Sequence, residues 1–240
     1  VYDRADSSIT TAVPDEFDFD EIFKDANLFH VSGITPVLSA DAKELTFAAL
    51  KKAREHHVTV SFDLNYRSKL WTSDIEGKQK MLSDMMEYVD ICFGNARDAA
   101  KCLGYTEDGI DFIDGEYNIC VDEKHMHNVL NYYHFTHLIT TLRNSISASD
   151  NGWSGVVCTS DDYYKGRDYM LHIVDRVGGG DSFASGFLHG ILVDMGSRKA
   201  LEFGLAAAAI KHTIPGDLNY ITESEVLSMI ESDGAGRVQR

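Results

Sequence analysis

Strand-length runs of β-branched and aromatic residues alternate with amphipathic segments of helix length along most of this 240-residue chain. Val58–Leu64 (VTVSFDL) is typical of a strand that is buried on both faces. The preceding segment, Asp41–His57, places Leu45, Ala49 and Ala53 at helical spacing. Because such alternation favours right-handed crossovers, it predicts an α/β fold with a mostly parallel sheet and helices on both faces.

The same periodicity assigns further elements, and we expect one domain over residues 1–240 because no repeat or clear linker interrupts the chain. The last two predicted strands have the pattern of an antiparallel hairpin. The predicted strands are Asn27–Ser32, Val58–Leu64, Val89–Phe93, His137–Leu142, Gly155–Cys158 and Tyr163–Val174. The predicted helices are Asp41–His57, Asp74–Tyr88, Asp122–Phe135, Asp181–Met195, Lys199–His212 and Thr222–Glu231.

Composition excludes several classes of protein. The chain has 38 acidic against 22 basic residues, a net charge of −16, and so lacks the basic surplus that nucleic-acid binding needs. Hydrophobic residues make up 44% of it, which argues against disorder. No apolar run approaches the roughly 20 residues of a membrane helix. We therefore expect no nucleic acid and no membrane as a partner.

The cysteines and histidines form no metal or redox motif. Because no C-x-x-C pair occurs, buried reduced thiols are expected, with the cytoplasm as the compartment. His125 and His127 lie two residues apart and point to different faces of a helix. The cysteines are Cys92, Cys102, Cys120 and Cys158.

The segment Asp175–Phe183 (DRVGGGDSF) carries the strongest chemical signal. Its consecutive glycines, Gly178, Gly179 and Gly180, follow a predicted strand and let backbone amides approach a ligand closely. Together with the positive end of the next helix, these amides would form an anion site. Asp181 would then deprotonate an alcohol that attacks a phosphoryl group held there, the alternative being a carboxylate that only caps its own helix.

This segment resembles the second signature, D-T-x-G-A-G-D, of the ribokinase-like (phosphofructokinase B-type) sugar kinases. Arg176 replaces the usual threonine and Gly179 the usual alanine, a variant that resembles the 2-keto-3-deoxygluconate kinases. Other segments similar to the same subgroup are Phe29–Ser39 (FHVSGITPVLS), Ser61–Trp71 (SFDLNYRSKLW), Ile214–Asp217 (IPGD) and the tail Gly234–Arg240 (GAGRVQR).

The resemblance implies a three-layer α/β/α fold and ATP-dependent phosphorylation of a sugar or keto sugar acid, with 2-keto-3-deoxygluconate converted to its 6-phosphate. It implies that Asp181 is the general base and that Gly178–Gly180 form the anion hole. It also implies that Arg67 bridges substrate and phosphates, while Asn65 and Tyr66 border the nucleotide. The alternative for Arg67 is a surface salt bridge.

A second group of implied contacts concerns the metal. Asn95 and Asp98 align with the family's N-x-x-E motif, which arranges Mg²⁺ and its waters near the phosphates. The aspartate is shorter than the usual glutamate, which favours service to a hydrated ion over direct contact. The alternative is that Asn95 caps a helix from Ala96 onward.

The remaining implied contacts concern nucleotide and sugar. The segment Thr141–Ile146 (TLRNSI) falls where the family has a glycine-containing nucleotide loop, although the glycines are missing here. Asp217 matches a substrate position, the alternative being an ordinary Gly-Asp turn. Gly186 and Gly190 are explained by close helix packing. The implied nucleotide contacts in the loop are Thr141, Arg143, Asn144 and Ser145.

Residues 1–11 (VYDRADSSITT) resemble the end of a lid strand. In these kinases the first strands of the sheet, most of the lid and most sugar contacts precede such a strand. We therefore expect an N-terminally incomplete kinase domain that lacks those strands and most of the lid. A nucleotide-binding relative without catalysis and a kinase for fructose or another neutral sugar remain alternatives. A monovalent cation and a homo-oligomer also remain open.

Overall fold

The computed structural model describes residues 7–147 and 150–232, apart from the side chain of Ser145. The chain divides into two compact units, one comprising Val1–Ile139 with Cys158–Asp161 and the other Thr140–Val157 with Asp162–Arg240. The prediction of a single kinase domain stays a prediction. The start of the predicted lid strand, residues 1–6, and the tail, residues 234–240, lie outside the described residues.

Most predicted elements are present, and the α/β fold with a mostly parallel, mixed sheet is confirmed. The helices Phe19–Phe23 and Tyr117–Cys120 were not predicted, and the strand predicted as Gly155–Cys158 begins at Asp150. The helices are α1 (Phe19–Phe23), α2 (Ala40–Glu55), α3 (Ile75–Met85), α4 (Ala96–Leu103), α5 (Tyr117–Cys120), α6 (Glu123–Tyr133), α7 (Gly179–Leu192), α8 (Ser197–Lys211) and α9 (Glu223–Glu231). The strands are β1 (Leu28–Ser32), β2 (Thr59–Asp63), β3 (Ile91–Phe93), β4 (His137–Ser145), β5 (Asp150–Cys158), β6 (Tyr163–Lys165) and β7 (Tyr169–His172).

The described part of the predicted lid strand is not extended. Ser8–Thr10 forms a 3-10 turn. The hydroxyl and the amide of Thr10 both donate to the carbonyl oxygen of Ser7, at 2.7 and 2.9 Å. These local bonds use the carbonyl that a strand would offer to a neighbour, and so favour the turn.

In the first unit, β1, β2, β3 and the start of β4 pair in that order, all parallel. Backbone bonds continue just past the strand ends: Gly33 N–H donates to the Asp63 carbonyl at 2.7 Å, and Leu64 N–H to that of Phe93 at 3.0 Å. The carboxyl ends of the strands therefore reach the same edge, where ligands bind in open α/β sheets. Apolar side chains of β2 and β3 such as Phe62 are fully buried.

In the second unit, the rest of β4 is followed by β5 and β6, and β7 pairs antiparallel with β5. The predicted single strand Tyr163–Val174 is wrong, because it breaks into β6 and β7 around Gly166. There a Cβ would lie 2.5 Å from Cδ1 of Leu205 on α8. Glycine weakens a strand because it has no side chain to pack, and here Leu205 occupies the space that a side chain would take.

Helices α7 and α8 pack through small residues. A Cβ on Gly186 would lie 2.9 Å from the Cα of Gly204, and one on Gly190 would lie 2.7 Å from the Cα of Ala200. This confirms that close packing accounts for Gly186 and Gly190. No helix among the described residues is both long enough and apolar enough to cross a bilayer.

Candidate active site

Helix α7 begins without a side-chain cap. Its N-cap is Gly178, in the left-handed region with φ +75°, and no side chain accepts a hydrogen bond there. Asp181 lies exposed in the first turn, and its carboxylate has no hydrogen-bond partner among the described residues. The capping alternative for Asp181 is therefore wrong. The amides of Gly180 and Asp181 also donate to no described residue, so a carboxylate stands beside two open donors.

The three glycines that precede Asp181 meet different surroundings. A Cβ on Gly178 would lie 2.6 Å from the carbonyl oxygen of Asp217, and one on Gly179 would lie 2.7 Å from the His212 ring. A Cβ on Gly180 would meet nothing within 4 Å. The first two are thus required by the protein's own packing, and Gly180 borders the space open to a ligand.

Asp175 ties the glycine segment to the turn that contains Asp217. Its Oδ1 accepts the amide of Val177 at 3.0 Å, and its Oδ2 accepts the amide of Gly216 at 2.8 Å. These hydrogen bonds hold the pKa of Asp175 below its ordinary value. The structure therefore brings Asp217 against Gly178. It also confirms a turn there, because Gly216 has φ +85°.

Positive charge gathers around the buried ring of His212. Burial lowers the pKa of His212, and the nearby charges of Arg143, Lys211 and Arg176 lower it further. Burial also lowers the pKa of Arg143, with a smaller contribution from Arg176. The second unit thus carries a local positive field beside the start of α7, in spite of the net charge of −16.

The implied nucleotide loop is a strand in this structure. Residues 141–145 belong to β4, and the chain turns back only after Ser145. Because the segment contains no glycine and continues a strand that holds Ile139, Thr140 and Thr141, it keeps the extended conformation. With the Asn151 amide oriented to satisfy both of its ends, its oxygen accepts from Arg143 Nη2 at 3.0 Å and Nε at 3.3 Å. The nucleotide contacts implied for Thr141, Arg143 and Asn144 remain predictions.

In the first unit, Asn65 has a strained backbone. Its φ of +46° lies in the left-handed region, which asparagine tolerates better than most residues. Its amide donates to Asp63 Oδ1 at 3.0 Å, and its Nδ2 donates to the hydroxyl of Ser32 at 2.9 Å. These bonds fix the turn that leads from β2 into Tyr66 and Arg67.

Arg67 is exposed and forms no ion pair with any residue in the described ranges. Its Nη1 donates only to the carbonyl of Tyr66, at 3.0 Å. The salt-bridge alternative is therefore wrong for the described chain, and the guanidinium keeps most of its donors available. The ring of Tyr66 packs on Trp71 and lies under the ammonium of Lys101, 4.9 Å from the ring centroid.

Asn95 and Asp98 form a capping box at the start of α4. Asn95 Oδ1 accepts the amides of Arg97 and Asp98 at 2.9 and 3.1 Å, and Asp98 Oδ2 accepts the amide of Asn95 at 3.1 Å. Burial raises the pKa of Asp98. The capping alternative is confirmed, and a role with Mg²⁺ remains a prediction.

The structure also bears on how a metal could be held. Within residues 7–147 and 150–232, no three His, Cys, Asp or Glu side chains gather at one point. Mg²⁺ keeps several waters and commonly binds through one or two carboxylates together with substrate phosphates. A hydrated ion that arrives with a nucleotide would not need such a cluster. The cysteines are all free and buried, as predicted.

Sequence reasoning missed a cleft of about 290 Å³ beside the start of α7. It is lined by Ser182 and Ser185 of α7, Phe203 and Ala207 of α8, and Asn219. Nδ2 of Asn219 donates to the Ser182 hydroxyl at 3.1 Å, and its buried Oδ1 has no hydrogen-bond partner. Apart from Ser182, which belongs to the glycine motif, no motif marks these residues, because they come together only when α7 packs on α8.

The sequence of the chain matches a known family of enzymes. The profile of the pfkB family carbohydrate kinases matches residues 1–222. The chain belongs to this family, which confirms the resemblance noted from its motifs. It spans 63% and 67% of the length of two curated relatives described below.

The two curated relatives are both named as sugar-acid kinases. A 2-dehydro-3-deoxygalactonokinase of Haloferax volcanii is 33% identical over 98% of this chain and 67% of its own length. A 2-dehydro-3-deoxygluconokinase of Bacillus subtilis is 28% identical over 95% of this chain and 63% of its own.

Two solved structures share the fold of this chain. The 2-dehydro-3-deoxygluconokinase of Thermotoga maritima is 41% identical, with a TM-score of 0.87, over 96% of this chain and 68% of its own. A protein of E. coli named a ribokinase II, solved with ATP and Mg²⁺, shares the fold at 17% identity, with a TM-score of 0.70 over 92% of this chain and 63% of its own.

Proposed function

We propose that this chain transfers the γ-phosphoryl group of ATP to a hydroxyl of a keto sugar acid, most specifically 2-keto-3-deoxygluconate, to give its 6-phosphate. The observation that carries the proposal is the unengaged carboxylate of Asp181 beside the open amides of Gly180 and Asp181. The first amides of a helix have no intrahelical partner, so these donors are available to a ligand. Here they lie beside Gly180, where a Cβ would meet nothing within 4 Å.

In this proposal each group has one task. Asp181 accepts the proton of the sugar hydroxyl as the oxygen attacks phosphorus, and ADP leaves with the electron pair of the broken P–O bond. We keep the anion hole implied for Gly178, Gly179 and Gly180 as a proposal and extend it by the amide of Asp181: these amides would hold the transferred phosphoryl oxygens, whose negative charge the positive end of α7 stabilises. Mg²⁺, when bound with the nucleotide, would neutralise phosphate charge. For Asn95 and Asp98 we retain the proposed role of arranging the water molecules that such an ion would carry.

The cleft next to Ser182 suits the base of the nucleotide. Its volume of about 290 Å³ and its apolar walls from Phe203 and Ala207 fit a flat heteroaromatic ring. The unpartnered Oδ1 of Asn219 offers an acceptor to an exocyclic amine. We retain Thr141, Arg143, Asn144 and Ser145 as proposed contacts to the rest of the nucleotide.

The substrate is proposed as an acid. For Arg67 we propose contact with a carboxylate or phosphate, because its fork matches both and no acidic partner engages it in the described chain. Asn65 and Tyr66 shape the same segment, and Asp217 is the proposed sugar contact beside Gly178. The names of the relatives, a galactonate-type and a gluconate-type kinase, support a keto-deoxy sugar acid. Residence in the cytoplasm stays a prediction.

The experiment is ADP release by the full chain with 2-keto-3-deoxygluconate, its galactonate epimer, fructose and ribose. We expect turnover with the acids, and Asp181→Asn should lower it by about 10²–10⁴-fold without loss of ADP binding. The matched control is Asp194→Asn, an exposed carboxylate at the other end of α7. Turnover by Asp181→Asn at the wild-type rate would refute the assignment. ADP binding without turnover on any sugar would identify a nucleotide-binding relative.

A further inference from the structure

Lys211 is a fully buried lysine that the mechanism above does not use. It is the last residue of α8, and its relative exposure is 0%. No carboxylate in the described ranges lies within ion-pair distance of its ammonium. A buried charge without a direct counter-ion is costly, so its surroundings must supply other compensation.

Main-chain oxygens supply it. The ammonium donates to the carbonyl of Ile214 at 3.1 Å and to that of Gly216 at 2.7 Å. The C-terminal end of α8 adds partial negative charge. Backbone carbonyls that converge on a positive charge are also the ligands that proteins use for K⁺. Lys211 therefore occupies the kind of environment that would suit a free monovalent cation.

The position of this ammonium connects it to the phosphate site. The Cε of Lys211 would lie 3.3 Å from a Cβ on Gly178, and the Asp217 carbonyl would lie 2.6 Å from that same Cβ. Gly216 is held through both of its backbone polar groups. Its carbonyl oxygen accepts from Lys211, and its amide donates to Asp175 at 2.8 Å. The turn thus forms a wall against the glycine that begins α7.

We propose that the Lys211 ammonium is a built-in cation that holds the Ile214–Asp217 turn against Gly178, so that no free monovalent cation is needed at this turn. Lys211 is a positioning residue for the phosphate site, and this role rests on the proposed kinase function. The open question of a monovalent cation is answered by a side chain of the protein itself.

The test compares Lys211→Ala, Lys211→Met and, as a matched control on the same helix, exposed Lys199→Met. Turnover and thermal midpoint are measured in K⁺, methylammonium and tetramethylammonium chlorides at constant ionic strength. Wild-type protein should respond to none of them. Lys211→Met should lose about 10- to 100-fold in turnover, the order expected when a reacting group is misplaced. Methylammonium or K⁺ should partly restore turnover and midpoint only in Lys211→Ala, where space is vacated.

Three results would overturn the proposal. They are wild-type turnover or midpoint that rises specifically with K⁺, wild-type behaviour of Lys211→Met, and a Lys211→Ala midpoint that ignores methylammonium. If Lys211→Ala does not fold, the wild-type and Lys211→Met arms still decide. If the wild-type chain phosphorylates nothing, the kinase proposal fails while the thermal midpoints still test the built-in cation.

Discussion

Gly180→Ala and Gly186→Ala should have opposite effects on stability, although both add one methyl group to α7. At Gly180 the added Cβ meets nothing within 4 Å, so the protein accommodates it without strain. At Gly186 it would lie 2.9 Å from the Cα of Gly204, a backbone atom that cannot rotate away. The two variants therefore separate the needs of the phosphoryl group from those of helix packing.

The magnitudes follow from these contacts. Alanine in place of glycine favours a helix by up to about 1 kcal/mol, so Gly180→Ala should gain up to that amount. Overpacking costs about 1–3 kcal/mol, and a clash with backbone belongs at the upper end. After the helix-propensity gain, Gly186→Ala should lose about 2 kcal/mol. For a chain of this size, 1 kcal/mol corresponds to about 2–4 °C in Tm.

In activity the order of the two variants should be reversed: Gly180→Ala should lose more turnover than Gly186→Ala. The methyl group of Gly180→Ala enters the space where the phosphoryl oxygens are proposed to lie, and should lower turnover by about 10²-fold, as loss of an oxyanion donor does. Gly186→Ala should keep its kcat at temperatures where it remains folded, and because Gly186 also lines the cleft beside α7, any rise in KM should concern ATP. The assays are thermal unfolding and coupled ADP release. Full turnover by Gly180→Ala would mean that the phosphoryl group does not bind at this helix start.

Three further outcomes are expected. Arg67→Met should leave Tm unchanged within the scatter of neutral surface changes, about 0.5 kcal/mol, and should raise the KM for the sugar acid; a large loss of stability would indicate a structural role. Ser185→Trp should fill the cleft beside α7 and raise the KM for ATP with little change in kcat, and an unaltered KM would remove the base from that cleft. Burial raises the pKa of Asp98, so its contribution to stability is present below about 3.8 and is lost as pH rises through the raised value. Asp98→Asn should accordingly be more stable than wild type in urea at neutral pH and equal to it near about pH 3, and the reverse order would contradict this sign.

Local patterns in the sequence were enough to predict most elements. Strand β2 is a run of β-branched and aromatic residues, and α8 has helical spacing with strong helix formers, so both follow from short-range preferences. The break between β6 and β7 could not be predicted in this way. The space beside Gly166 is filled by Leu205, which lies 39 positions further along the chain, and no pattern near Gly166 indicates that contact.

The candidate site was predictable only in part for the same reason. The glycine run and Asp181 form a contiguous motif, and the motif predicted where α7 begins. Lys211 and His212 carry no such mark, because a lysine at the end of an alanine-rich helix has an ordinary explanation in the helix dipole. Only packing shows that the lysine is buried and that the histidine ring lies against Gly179.

The two hydrogen bonds that fix the backbone of Gly216 have a consequence for the entropy of ligand binding. A wall that Asp175 and Lys211 already hold in place has few conformations left to lose when a ligand arrives. The ordering cost of this part of the site is met when the protein folds, so it does not weaken ligand binding. It also makes the two side chains interdependent. If either side chain is removed, the other holds a turn that is already loosened. A double variant should therefore lose less activity than the sum of the losses, in free energy, of the two single variants.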